Sequence, residues 1–266
     1  MQMANKFLLR EDAPLEPETW TAIDTTVINT AKSILAGRRI LPVEGPYGLG
    51  LKGIPTMDDH LEGGLISSSF VPVQFIQSSF LLAKRDIAAH ERDGLPLDTC
   101  AVADAAIECA RIEDSMIFNG AQNIAGLFSC EGTASSQISS WDKVGNAAED
   151  VIKAITRLDE NGFHGPFALA LAPARYNLLL RRYPQSDGTE LEHIRTMATE
   201  GVVKAPVLEK GAVLLAPGPQ FASIAIGQDL AAGFIGPVEE SLEFSISESL
   251  ALVIRDPGAI CVLKEK

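Results

Sequence analysis

The sequence has few of the residues from which disulfide frameworks and metal sites are built. Its 266 residues include four cysteines and four histidines. Cys100, Cys109, Cys130 and Cys261 form no Cys-x-x-Cys pair, and the histidines show no metal-binding spacing. We therefore expect the cysteines to pack rather than react, in a reducing compartment such as the cytoplasm, and we expect no resident metal or cofactor.

Long apolar runs and an excess of positive charge are also missing. No window holds the roughly eighteen apolar residues of a membrane span, and the opening MQMANKFLLRED lacks an apolar core of signal-peptide length. The formal net charge is −13, whereas a protein that coats nucleic acid needs a basic face. We therefore expect neither a membrane nor a nucleic acid as a partner.

Catalytic motifs are lacking as well. Gly48, Gly50 and Gly53 have the spacing of a dinucleotide-binding turn, but Pro42 and Pro46 interrupt the strand that such a turn needs before it. No Gly-x-Ser-x-Gly elbow is present in the sequence. The sequence therefore predicts a protein that is not an enzyme.

The adjacent carboxylates Glu113 and Asp114 are a further candidate for acid–base chemistry. Consecutive side chains on a helix point about 100° apart, so both can hardly serve one substrate. We interpret the pair as helix-surface charge or as part of a salt link between subunits.

What the sequence does contain is a mixture of helices and strands without regular alternation, which is typical of an α+β fold. Apolar residues recur at three- and four-residue steps in three long segments, and Ser139 with Asp142 resembles a capping box at the start of the third. Helices are predicted at 17–39, 98–120, 139–162, around 174–182 and at 190–201. Strands are predicted at 167–172, 202–208, 212–217, 222–227, 242–254 and 259–263.

Residues 50–80 form a long extended segment that cannot bury its apolar side chains by itself. Its apolar residues therefore need a partner surface, either on their own domain or on a neighbouring subunit. The residues concerned are Phe70, Val71, Val73, Phe75 and Ile76.

Six stretches, in chain order, form a family pattern. They are APLEPETWTAID, GRRILPVEGPYG, RIEDSMIFNGAQNIAGL, NGFHGPFALALAP, IGQDLAAGF and ESLALVIRDPGAICVL. In this order they resemble the encapsulins, bacterial and archaeal shell proteins related in fold to the major capsid proteins of tailed phages.

The resemblance implies a tailed-phage major-capsid-like fold of the α+β class. An N-terminal helix and the start of the peripheral (P) domain would occupy residues 1–49, followed by an extended E-loop arm at 50–79. The P-domain would continue at 80–127 and 223–266, and the axial (A) domain would occupy 128–222. The arm would then pair with a neighbouring subunit.

The resemblance also implies a function. Copies of the chain would assemble into an icosahedral shell around cargo enzymes, such as a ferritin-like protein or a peroxidase, in iron storage or oxidative-stress defence. Each cargo would carry a short C-terminal targeting peptide that docks on the inner wall. The implied binding residues are Val27, Ala31, Ile34, Leu35, Arg38, Asp229 and Leu230; alternatively, this stripe packs only into its own subunit.

A second implied site is a pore near the five-fold axis, at the loop 183–189. Its lining residues would be Tyr183, Gln185, Ser186 and Asp187. The alternative to an encapsulin is a viral or prophage major capsid protein of the same fold, which would package a genome. The acidic balance and the encapsulin-like N-terminal helix favour the encapsulin.

Overall fold

The computed structural model describes residues 5–60, 62–184 and 187–265. Within these ranges no helix combines the length and the apolar character needed to cross a bilayer. The helices are α1 (Pro17–Ile34), α2 (Lys84–Asp93), α3 (Cys100–Asn119), α4 (Asn146–Glu160), α5 (Pro173–Leu178) and α6 (Glu190–Met197). The strands are β1 (Val43–Glu44), β2 (Gly53–His60), β3 (Ile66–Pro72), β4 (Gln74–Ala83), β5 (Gly120–Ala121), β6 (Ile124–Ala125), β7 (Ala134–Gln137), β8 (Ala168–Leu171), β9 (Gly201–Lys204), β10 (Ala212–Leu215), β11 (Ala222–Ile226), β12 (Ala231–Val238), β13 (Ser241–Ile254) and β14 (Ile260–Lys264).

The first sheet is organised around the long strand β13. Strand β4 pairs antiparallel with one edge of β13, and β11 and β12 pair antiparallel with successive parts of the other edge. Strand β1 extends the sheet by pairing parallel with β11. Strand β13 is therefore paired along both edges, and its side chains are buried without a break from Ile246 to Val253.

An aromatic cluster ties helix α1 to this sheet. The ring of Phe244 on β13 stacks on Phe80 at a centroid distance of 5.4 Å. Trp20 of α1 meets Phe244 edge-on at 5.7 Å, and Phe234 of β12 lies 5.5 Å from the same ring. Aromatic pairs of this kind add to the free energy gained from burial, so α1 is fixed against β13.

The second sheet has the order β7-β14-β10-β8-β9, and its three central strands, β14, β10 and β8, are buried on both faces along almost their whole length. Along β8 the side chains alternate: Ala168 and Ala170 belong to the core shared with the first sheet, while Leu169 and Leu171 face α4 and α6. This double burial is why these three central strands are apolar runs in the sequence.

The C-terminal strand lies in the second sheet rather than the first. Strand β14 pairs with β10 and with β7, whereas the resemblance placed all of 223–266 in the P-domain. The short strand after the turn at Pro257 is apolar on both faces, so either sheet could accept it from sequence alone. We accordingly propose to end the P-domain near residue 256.

Helix α4 begins later than predicted. Its N-cap is Gly145, not Ser139, because the hydroxyl and backbone N–H of Ser139 both donate to Asp150 at 2.7 Å. The buried carboxylate of Glu190, from α6, accepts the N–H groups of Gly145 and Ala148 instead. The prediction failed because the cap comes from a residue distant in sequence.

Helix α2 was not predicted. Of its ten residues only Ile87 is buried, so the sequence KRDIAAHERD shows no apolar stripe. Its role is local: Glu91 accepts hydrogen bonds from the N–H of Glu16 and the hydroxyl of Thr19. These bonds fasten the first turn of α1.

Cysteines 109 and 261 are buried, as expected of small apolar residues. Burial raises the pKa of the Cys109 thiol to about 12 and that of Cys261 to about 11. Both thiols are therefore protonated and unreactive at neutral pH. Cys100 is exposed and Cys130 is half-buried, so only the first two follow the prediction.

The last part of the segment predicted as an extended arm, 50–79, lies in the first sheet. Strands β2 and β3 form a separate two-stranded hairpin, and the chain re-enters the first sheet at β4. Ile76 lies in β4 opposite Glu248, is 4 % exposed and belongs to the subunit core. Its side chain already packs in the core of its own subunit, so Ile76 is not part of the intersubunit surface that we propose for this arm.

Candidate functional site

Helix α1 presents one apolar face to its own subunit along its C-terminal half. Val27 and Ala31 lie one turn apart and are buried, and Leu35, the residue that ends the helix, is buried below them. Ile28 stands beside this face and is 47 % exposed. The stripe is thus part core and part surface.

A groove of about 340 Å³ lies between this face and the turn that follows β11. Ile34 does not line it but packs with Ala31, Leu35 and Ala110. The groove therefore brings together six of the seven residues that the resemblance assigned. Its lining residues are Val27, Ile28, Ala31, Lys32, Leu35, Arg38, Arg39, Asp229 and Leu230.

Three lining residues were not predicted. Ile28 and Lys32 each lie one helical turn from another lining residue, so helical spacing alone could have found them. Arg39 follows the assigned Arg38, and its guanidinium donates to the carbonyl of Lys32 at the end of α1. Lys32 and Arg39 give part of the rim a positive charge.

A bulge in the first sheet supplies the opposite wall. Ile226 pairs with Leu250 and Ala231 pairs with Ser247, so the β11–β12 edge has two more residues than β13 over this stretch. Gln228 anchors the bulge, with its N–H donating to the Ser249 hydroxyl at 2.8 Å. The extra length carries the next two residues, Asp229 and Leu230, out to the groove.

Arg38 closes one end of the groove with a set of ion pairs. It lies in a short 3₁₀ helix, Gly37–Arg39, and binds Glu113 through two bonds of 2.8 Å from Nε and Nη2. The same Nη2 donates to Glu248, and Nη1 donates to Asp229, each at 2.8 Å. One guanidinium therefore joins α3, β13 and the bulge.

The carboxylates around Arg38 differ in exposure. Glu113 and Glu248 are 0 % exposed, whereas the side chain of Asp229 is 60 % exposed. Burial opposes the charge of Arg38, but its hydrogen bond to Glu113 and the nearby negative charges outweigh burial and raise its pKa. All three carboxylates accept hydrogen bonds from Arg38. The described residues contain no cluster of His, Cys, Asp and Glu that could hold a metal ion.

Asp114 fixes the turn that brings Arg38 into place. Its carboxylate accepts the backbone N–H groups of Ala36 at 2.8 Å and Gly37 at 2.9 Å. A Cβ atom at Gly37 would lie 2.8 Å from Ile117 Cδ1, so the close approach of this turn to α3 favours glycine. Burial raises the pKa of Asp114 to about 6, against the opposing effect of these two bonds.

The interpretation of Glu113 and Asp114 as surface charge is wrong. Both side chains are fully buried, and they point to different partners, Arg38 and the turn at Gly37. The divergence of adjacent helical side chains is as expected. Their common task is to fasten the segment after α1 to α3.

The β2–β3 hairpin and the start of β4 form a second candidate surface. Met57, Phe70 and Phe75 are 75 %, 61 % and 54 % exposed. Val71 and Val73 instead pack partly on their own first sheet. Of the arm residues assigned to a subunit interface, Phe70 and Phe75 are thus the ones that expose most apolar surface.

The loop before α6 is the place of the predicted pore. The Tyr183 hydroxyl lies 2.8 Å from Nδ1 of His193, which fastens the start of the loop to α6. Asp187 is exposed. Gln185 and Ser186 lie outside the described residues, and the assignment of all four residues to a pore stays a prediction.

The fold is of the phage-capsid-like class. The crystal structure of a virus-like particle from Pyrococcus furiosus matches 93 % of this chain and 100 % of its own, with a TM-score of 0.76 and 22 % identity. The capsid of Myoviridae phage XM1 matches 85 % of this chain and 90 % of its own, with a TM-score of 0.62 and 14 % identity. At such identities the likeness is one of fold.

Sequence comparison narrows the class to a family. The family model Linocin_M18, described as an encapsulating protein for peroxidase, matches residues 5–251. The type 1 encapsulin shell protein EncA of Myxococcus xanthus is 32 % identical over 97 % of this chain and 96 % of its own. A diheme-cytochrome-encapsulin shell fusion protein of Kuenenia stuttgartiensis is 30 % identical over 94 % of this chain and 74 % of its own. The chain belongs to the encapsulin shell protein family.

Proposed function

We propose that this chain is the subunit of a closed icosahedral shell that encloses cargo enzymes in the cytoplasm. The description of its family as encapsulating protein for peroxidase supports an enzyme as the cargo. The Kuenenia relative, a shell protein fused to a diheme cytochrome, supports the same arrangement. The chemistry belongs to the cargo, and the shell supplies enclosure.

Self-assembly is supported by the β2–β3 hairpin. A two-stranded hairpin is marginally stable by itself, and this one presents Met57 and Phe70 to solvent. Burial of each such side chain against a neighbour contributes about 1.5–3 kcal/mol. Because every subunit both gives and receives such contacts, modest interfaces add up to a closed particle.

Cargo capture rests on one observation, the groove beside α1. It combines an apolar wall of Val27, Ala31 and Leu35 with a charged end at Arg38 and Asp229. An extended tail could bury apolar side chains against the wall and orient its main chain at the charged end. We propose that a C-terminal tail on the cargo binds there, and that Tyr183 and Asp187 edge a pore for small polar solutes.

The capture step is tested by the substitution Ile28→Asp. Ile28 lines the groove yet is 47 % exposed, so an aspartate there disrupts the apolar wall without entering the core. The reporter is a fluorescent protein that carries the last thirty or so residues of the cell's own peroxidase or ferritin-like protein, co-expressed with the shell. We expect wild-type shells to co-purify with the reporter and Ile28→Asp shells to lose most of it.

The matched control is Asn29→Asp, which adds the same charge at the next exposed position of α1 but outside the groove. Asn29→Asp shells should retain the reporter. Equal retention of the reporter by wild-type, Ile28→Asp and Asn29→Asp shells would overturn the assignment of the groove. Wild-type shells that enclose neither the reporter with the peroxidase tail nor the reporter with the ferritin-like tail would overturn capture by a C-terminal tail.

A further inference from the structure

The charged end of the groove holds more carboxylates than its guanidinium can neutralise. Four of the five N–H groups of Arg38 are committed, two to Glu113 and one each to Glu248 and Asp229. If Glu113 and Glu248 were both ionised, their two buried charges would face one positive charge. A buried charge without compensation is costly, so such a site favours binding of a proton.

The structure points to Glu248 as the place of that proton. Its Oε2 accepts from Arg38, but its Oε1 is buried and accepts no hydrogen bond from the described residues. Both oxygens of Glu113, in contrast, accept from Arg38. An oxygen without a donor suits the hydroxyl of a neutral acid better than an ionised carboxylate.

The electrostatic surroundings agree with this geometry. Burial raises the pKa of Glu248 well above its ordinary value, and the charge of Glu113 raises it further against the opposing charge of Arg38. A hydrogen bond to Glu113 and the charge of Asp229 act in the same direction as burial. Cys109 also faces this site from α3, and its thiol, with a pKa of about 12, stays neutral over the same range.

We propose that Glu248 is a positioning residue whose bound proton keeps Asp229 attached to Arg38, so that cargo tails bind most tightly while Glu248 is neutral. This inference rests on the proposed function of the groove. It adds regulation by pH through a residue that does not line the groove.

The link from Glu248 to the groove passes through the shared guanidinium. When Glu248 is neutral, Arg38 is divided between buried Glu113 and Asp229 at the surface. When Glu248 loses its proton, it competes for Arg38 and repels Asp229, which water can solvate because its side chain is 60 % exposed. Asp229 also accepts the N–H of Leu230, so its release displaces one wall of the groove.

The test uses assembled shells that already contain the tail-bearing fluorescent reporter. Time-resolved fluorescence anisotropy separates reporter bound to the wall from reporter that tumbles freely inside, so no ligand has to enter the shell. Wild-type shells are compared with Glu248→Gln and with the control Glu243→Gln on the same strand, from about pH 6 to about pH 9. Glutamine has the shape of a protonated glutamate but cannot ionise.

In wild-type and Glu243→Gln shells we expect the ratio of free to bound reporter to rise by about fivefold or more over this range. In Glu248→Gln shells it should stay constant and low. Asp229→Asn is a second variant, at an exposed position, and should bind the tail more weakly but without dependence on pH.

The possible outcomes distinguish failure of the regulation by pH from failure of the proposed function of the groove. An equal rise in Glu248→Gln shells, or no rise in wild-type shells that do hold the reporter, would overturn the inference and leave the proposed function standing. If Glu248→Gln shells do not form, the Asp229→Asn shells decide. A ratio of free to bound reporter that rises with pH in these shells as much as in wild type would also overturn the inference. Reporter that tumbles freely at every pH in wild-type shells would overturn both.

Discussion

The Arg38 site, formed by Arg38 with Glu113, Glu248 and Asp229, and the β2–β3 hairpin differ in the kind of side chain that they bury. The Arg38 site buries ionisable groups inside one subunit, with Glu113 and Glu248 fully shielded from solvent. The hairpin exposes apolar groups, with Phe70 61 % exposed. Charge is inside where an arginine must be held in one place, and apolar surface is outside where another copy of the chain can cover it.

Different residues therefore stabilise the folded subunit and the assembled shell. Removing one partner of a buried ion pair leaves an uncompensated charge and destabilises the fold itself. Removing an exposed apolar side chain costs the isolated subunit little. Substitutions in the two regions should therefore have separable effects.

The largest loss of folding stability is expected for Arg38→Met. The substitution keeps much of the side-chain volume but leaves the buried carboxylate of Glu113 without its cation, and we expect the free energy of unfolding to fall by about 3–5 kcal/mol. Denaturant unfolding followed by the fluorescence of Trp20 and Trp141 measures this loss. Arg39→Met, at the next and exposed position, should change the free energy of unfolding by no more than about 0.5 kcal/mol. Equal losses in Arg38→Met and Arg39→Met would show that the buried ion pairs of Arg38 do not stabilise the fold.

A smaller change in the free energy of unfolding is expected from the titration of Asp114. Its pKa is about 6 when folded, compared with 3.8 as the ordinary value, so the folded protein keeps a proton that the unfolded chain has lost. The stability contributed by this group is complete below pH 4 or so and falls by up to about 3 kcal/mol as the pH rises through 6.

The difference in unfolding free energy between wild type and Asp114→Asn should therefore narrow over that window, when both are measured by denaturant titration. Asp104→Asn, an exposed position on the same helix, serves as the control and should follow the wild-type curve. A constant difference between wild type and Asp114→Asn would show that Asp114 does not titrate there.

The smallest effect on folding, with the largest on assembly, is expected for Phe70→Asp. The subunit should keep its far-ultraviolet circular dichroism spectrum, because Phe70 is 61 % exposed, while light scattering should show loss of particles. Phe70→Leu keeps an apolar side chain and should assemble. Intact particles from Phe70→Asp would remove the hairpin from the assembly interface.

Local sequence patterns predicted the parts of the fold that depend on neighbours in the chain. Helices α1 and α3 carry apolar residues at helical spacing; α3 was found close to its observed bounds, and α1 was found at its observed start but ends five residues earlier than predicted. Six of the residues that line the groove came from the family resemblance. The strand AVLLAP was found because it is apolar throughout.

The remaining features depend on residues far apart in sequence. The Arg38 site joins positions separated by 75 and 210 residues, and nothing local marks Glu113 or Glu248 as buried. The start of α4 was misplaced because the N–H groups of its first turn are capped by the distant carboxylate of Glu190. Tertiary contacts of this kind override local propensity, and a single sequence does not display them.

Electron cryomicroscopy of shells loaded with the reporter shows whether the groove beside α1 holds the tail of an enclosed cargo. We expect the wild-type map to show density of an extended tail along Ala31 and Leu35, reaching Asp229, and we expect Ile28→Asp shells to lack this density. A loaded shell with an empty groove and the tail bound elsewhere on the wall would show that the groove is not the capture site.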